Sequence, residues 1–181
     1  MTSDKTYSNE QRLNQLRNNM GPAPAGTGNG QRQTLDVTAN QTILSTTPAV
    51  VGANSVPLSW AVVAGKWYLY AEITYVPALS AGNASLRLTL GGGAATNLRA
   101  SFWMYAPGVG AQLYGQVTAM DTDMQSSTMT AGTTSLFVVS ATMNLGGAAT
   151  LSLTARTSVA ADTYVIQSYS FGTLESVGQT S

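Results

Sequence analysis

Apolar and polar residues alternate with a period of two along most of this chain, in short runs broken by Gly, Pro, Ser and Asn clusters. That period is the mark of a strand with one buried face. Lys66–Val76 carries it most clearly, with Trp67, Leu69, Ala71, Ile73 and Tyr75 on one face and Tyr68, Tyr70, Glu72 and Thr74 on the other. The first set reads as core, the second as a half-exposed or interface face. Ala84–Leu90 turns Leu86, Leu88 and Leu90 inward and Arg87 outward. Leu98–Tyr105 puts Leu98, Ala100, Phe102 and Met104 on one face and Arg99, Trp103 and Tyr105 on the other. Ser135–Met143 is apolar on both faces, as a central strand is. Gly146-Gly147 predicts a hairpin turn into Ala149–Thr157. Thr34–Ala39, Gln41–Ser45, Val56–Val63, Ala111–Met120 and Thr163–Leu174 complete the expected strands, and Asp121–Gly132 is an expected polar loop. Roughly eight to ten short strands without a helix among them predict an all-β, antiparallel β-sandwich or jelly roll. No strict internal repeat points to a propeller or solenoid.

The pattern changes at about residue 34. Before it, Ser8 and Gln11 have the spacing of a capping box. They predict a helix over 8–20 that carries Leu13, Leu16 and Met20 as a narrow apolar stripe. Gly21 and Pro22 stop it, and Gly21–Gln33 is a linker by composition. Extended, that linker reaches roughly 40 Å. A stripe this narrow does not hold a helix in water by itself, so the helix must dock on its own domain, a sister chain or a foreign surface, or else fray. The expected organisation is an N-terminal arm at 1–33, a β-sandwich domain at 34–177 and a short tail at 178–181. Leu13, Leu16, Met20, Arg12 and Arg17 are the arm's candidate partner-binding residues.

Composition narrows the function. Charged residues make up 9% of the chain, against the usual quarter or so, while 44% are hydrophobic. Disorder is excluded over the bulk of the chain, and a surface so poor in charge points to use in an assembly. The arm is mildly basic, with Lys5, Arg12, Arg17 and Arg32 against Asp4 and Glu10, and the remainder is mildly acidic. No basic patch is dense enough for nucleic acid. There is no apolar run of signal-peptide or membrane-spanning character, so the expectation is synthesis in a microbial cytoplasm with no membrane partner.

The chain has no histidine and no cysteine. Ser-His-Asp triads, Cys-His dyads, zinc sites built on those residues and disulfides are therefore excluded. Gly91–Gly93 lacks the Lys-Ser/Thr of a phosphate-binding loop. Carboxylate chemistry remains: Asp121 and Asp123 as an acid/base or calcium pair, and Glu72 among aromatics. The bland alternatives are turn residues for the two aspartates and a cross-sheet partner, Arg87 or Arg99, for Glu72. No cofactor and no catalytic residue is expected. Tyr68, Tyr70, Trp103 and Tyr105 fit an oligomer interface, a packed core or a sugar-stacking platform.

Two stretches resemble a known class. Val56–Leu90 (VPLSWAVVAGKWYLYAEITYVPALSAGNASLRLTL) and Leu136–Ser170 (LFVVSATMNLGGAATLSLTARTSVAADTYVIQSYS) are similar to the jelly-roll domains of tailed-bacteriophage virion proteins, especially of phages infecting actinobacteria. The resemblance implies a tumour necrosis factor-like jelly roll that forms a homotrimer. It implies a non-enzymatic capsid decoration protein on the virion exterior, stabilising the shell and bound to the major capsid protein through the arm. Head fibres and receptor-binding or minor tail proteins share the style, which would make a host surface glycan the partner. The class brings no site residues with it.

Overall fold

The computed structural model describes residues 32–78, 83–105, 113–126, 130–159 and 162–177. They form strands joined by turns and irregular loops, without a helix among the described residues. The strands are β1 (Arg32–Asp36), β2 (Gln41–Ile43), β3 (Ala49–Val50), β4 (Ser59–Val62), β5 (Gly65–Pro77), β6 (Ala84–Gly91), β7 (Ala95–Tyr105), β8 (Leu113–Val117), β9 (Met124–Gln125), β10 (Ser135–Leu145), β11 (Ala149–Thr157), β12 (Tyr164–Ile166) and β13 (Phe171–Val177).

They form two sheets, paired antiparallel throughout. The wider runs β1-β13-β5-β10-β7-β8, with β12 pairing β5 and β2, and the narrower runs β3-β11-β6-β9, with β4 on β11. The pairing is nested. β1 pairs β13, β3 and β4 pair β11, β5 pairs β10, and β6 pairs β9. Apart from the short β2·β12 pair, which shares the wider sheet with β1·β13, alternate pairs fall in alternate sheets, which is one long hairpin rolled up on itself: a jelly roll. β7 and β8 are additions to that plan. β7 lies on the free side of β10, and β8 lies on β7.

The core sits between the sheets and follows the alternation in the sequence. Trp67, Leu69, Ala71, Ile73 and Tyr75 are each 2% exposed or less. Tyr75 packs against Phe137 at 5.9 Å and edge-on to Tyr164 at 5.7 Å, and Phe102 meets Phe137 at 6.1 Å. Such tilted aromatic contacts add to simple area burial. Leu86, Leu88, Leu151 and Leu153 close the core from the other sheet.

The local departures from the expected strands have physical reasons. Thr163–Leu174 is two strands, because the turn Gln167–Ser170 interrupts it. Gln167 N donates to Thr74 O, and the Ser170 hydroxyl takes the Thr74 N–H that a regular ladder would pair with backbone. The expected loop Asp121–Gly132 contains β9, whose Met124 is fully buried. β3 was not expected, and β1 begins at Arg32, inside the expected arm. β7 carries a bulge: Arg99 pairs Thr142 while Thr96 pairs Asn144, with Asn97 at φ 53°. The expected helix over 8–20 and the tail at 178–181 lie outside the described residues.

Candidate functional site

The outer face of the wider sheet gathers most of the outward aromatic side chains. Strand register brings them together from distant parts of the chain. Tyr68, Tyr70 and Glu72 project from β5, and β10 carries the register across to β7. Glu72 stands opposite Val138, and Val138 opposite Trp103. On the other side Glu72 stands opposite Phe171 and Tyr70 opposite Thr173. Trp103 in turn stands opposite Tyr114 on β8. Tyr68, Tyr70, Trp103 and Tyr105, the four residues singled out as a candidate interface, thus share one surface. Phe171 and Tyr114 extend it. Those two were hidden in the sequence because their placement depends on which strand neighbours which.

The aromatics are organised in two groups. Trp103 and Tyr105 stack at 6.2 Å with 20° between their planes, and Tyr70 tilts against Phe171 at 6.2 Å. Hydroxyl contacts fix the rings. The Tyr68 hydroxyl lies 3.2 Å from Ser140 Oγ. Tyr114 donates to Ser101 Oγ at 3.3 Å and accepts from Gln116 Nε2 at 3.0 Å. Tyr70 donates its hydroxyl to Glu72 Oε1. Burial, and then the Glu72 carboxylate, push the Tyr70 phenol well above its ordinary value, so it stays a donor.

Arg99 borders an open groove of about 310 Å³ at the β7–β8 edge, lined also by Ala100, Ser101, Gln116, Val117 and Thr118. The ion pairs among the described residues both involve Asp123, so neither Arg99 nor Glu72 is in one. The expectation that Glu72 pairs with Arg87 or Arg99 is corrected here. Arg87 lies in β6 of the other sheet, and Arg99 lies in the row of Thr142 and Tyr68 rather than that of Glu72.

The narrower sheet presents a different outer face. It is made of Ser59, Ala61, Thr89, Thr150 and the arginines Arg87 and Arg156, with Ser152 and Thr154 buried and without an aromatic on β4, β6, β9 or β11 facing outward. Asp123 is clamped there between Arg87 of β6 and Arg156 of β11. Arg156 Nη1 also donates to Thr46 O at 3.3 Å, tying a second loop to the same point. Burial raises the Asp123 pKa, but the hydrogen bonds from Arg87 and Arg156 outweigh it, and the net direction is down. Asp121 lies in an exposed turn at φ 59°, close enough to Arg87 to add to the negative field on it. Asp123 is a structural tie between β6, β11 and its own loop. No group of three or more Asp or Glu converges among the described residues. Leu13, Leu16, Met20, Arg12 and Arg17 fall outside the described residues.

No protein-family model matches the chain, and no curated protein matches it. Among solved structures it is similar to the Eiger TNF of S. frugiperda at 12% identity, covering 84% of this chain and 96% of that one with a TM-score of 0.43. It is also similar to a chain of infectious bursal disease virus, Gt strain, at 12% identity, covering 88% of this chain and 42% of that one with a TM-score of 0.23. The jelly-roll assignment rests on the nested strand pairing itself.

Proposed function

We propose that this chain is a non-enzymatic structural protein of a virus particle. Its jelly-roll domain assembles with copies of itself through the outer face of the wider sheet, and residues 1–33 tie it to the major capsid protein. The observation that carries this reading is the contrast between the two outer faces. One holds Tyr68, Tyr70, Trp103, Tyr105, Tyr114 and Phe171; the other holds hydroxyls and an arginine clamp. Tyr and Trp are enriched in the buried centres of interfaces, where charge is depleted. The similarity of Val56–Leu90 and Leu136–Ser170 to tailed-phage virion jelly rolls supports a capsid decoration role and a homotrimer on the capsid exterior.

The carboxylates also favour a structural role. Glycoside hydrolysis needs two carboxyl groups roughly 5–10 Å apart across a substrate. Glu72 and Asp123 sit on the outer faces of opposite sheets, and Asp123 is held by two arginines.

Copy number on the parent particle, as a molar ratio to the major capsid protein, tests the proposal. Hundreds of copies are expected, and absence from purified particles would reject it. A second reading is recognition of a host glycan, favoured by the Trp103–Tyr105 stack on the strand, β7, that also carries Arg99 and its groove. It expects a handful of copies per particle and glycan binding that is lost in Trp103→Ala.

A further inference from the structure

We infer that Glu72 of one copy pairs with Arg99 of the next when the aromatic faces pack together. This inference rests on the assembly reading above. Glu72 lies on β5, near the middle of the face, half-buried and flanked in register by Phe171 and Val138. Its hydrogen bond comes from a neutral phenol, Tyr70. Covering the face would strip water from a carboxylate that forms no ion pair among the described residues. A charge buried that way is tolerated only when it gains a partner.

The same face holds the complementary group. Arg99 on β7 is exposed and in no ion pair among the described residues, and the neighbouring outward positions of β10 and β8 bear no carboxylate. The two cannot meet within one chain. They are two strands apart and offset by four residues along β7, since the row of Glu72 meets β7 at Trp103. Sheet geometry makes that roughly 10 Å across and 13 Å along. The β1-β13-β5 half bears Arg32, Asp36, Lys66 and Glu175 as exposed charges, with Arg32 opposite Glu175, and Glu72 is the carboxylate there that is already half-buried. Sliding one copy's β5 over another's β7 half brings Glu72 to Arg99. Ser101 and Gln116, which line the groove with Arg99, add hydrogen-bonding groups beside an incoming carboxylate. The pair would set register and partner choice in a face otherwise held by aromatic contact.

The test is sedimentation velocity of the full chain over a concentration series, with circular dichroism to check folding. Glu72→Arg and Arg99→Glu are each expected to raise the dissociation constant of the assembly at least about tenfold, and the double reversal to restore it to within about threefold. The milder Glu72→Gln and Arg99→Gln variants are expected to weaken it in the same direction. An assembly that survives both reversals would overturn the pairing and leave the assembly reading standing. A wild-type chain that stays monomeric throughout would overturn both.

Discussion

Gly172 on β13 faces the indole of Trp60 across the sandwich, and a methyl group at that position would stand 2.8 Å from Cη2 and 2.9 Å from Cζ2. Trp60 belongs to β4 in the opposite sheet and is 1% exposed, so the ring has no solvent to retreat into. The glycine is what lets the two sheets close at this point. Gly172→Ala should destabilise the fold by about 1–3 kcal/mol through overpacking. Guanidinium unfolding measures it, and Trp60→Phe in the same background should recover part of the loss.

Asp123 should make stability depend on acid. Its folded pKa lies below the ordinary carboxylate value of about 3.9. Its contribution is therefore complete above that value and is lost as pH falls through the lowered folded one. Asp123→Asn should cost about 1–2 kcal/mol near neutrality, a modest figure because both arginines are partly exposed. Urea unfolding of wild type and variant should converge as pH drops well below 4.

Gln41 holds a buried turn by both ends of its amide. Its Nε2 donates to Val50 O at 2.9 Å and its Oε1 accepts from Gly52 N at 2.6 Å, with the residue 4% exposed. Gly52 has φ 79°, a conformation in which a side chain would be strained, and a Cβ there would also strike Val56 O. Gln41→Ala should cost about 1–3 kcal/mol by leaving the buried Gly52 N–H without a partner, while Val50 O keeps the bond from Ala53 N at 3.1 Å. Faster amide exchange at Gly52 should accompany the drop in melting temperature.

The aromatic face should influence assembly more than folding. Trp103→Ala and Tyr68→Ala should each weaken self-association by about 1–2 kcal/mol. The melting temperature of wild type should rise with protein concentration, and that dependence should shrink in the variants.

Truncation separates the arm from the domain. Deleting residues 1–31 leaves β1 whole, whereas deleting 1–33 removes Arg32 and Gln33, which pair with Glu175 and Leu174. The shorter deletion should give a folded domain that no longer attaches to particles, and the longer one should also lower its melting temperature. Attachment retained after the shorter deletion would end the tether model.

Residues 66–76 were legible because each side chain's fate depends on local alternation, and all five residues expected inward are buried. The same holds for Leu86 and Leu88 on β6 and for Phe102 and Met104 on β7. What could not be read is whatever depends on pairing between distant strands. β9 is two residues long, too short to show a period, yet it completes the nesting with β6. The partners of Asp123 come from β6 and β11, far away in the chain. Local pattern put Tyr68 and Trp103 outward, but only the central place of β10 puts them on one surface.

The nesting also sets an order of events. β1, where the arm joins the domain, has its ladder partner in β13, nearly at the other end of the chain. During synthesis the first strand must wait for the last, and contacts this remote in sequence are slow to form. A ribosome-bound or truncated chain therefore cannot fix the point from which its arm departs. If the arm is an anchor, it is firmly held only by a finished domain, so the topology itself screens out incomplete chains before they reach a growing particle.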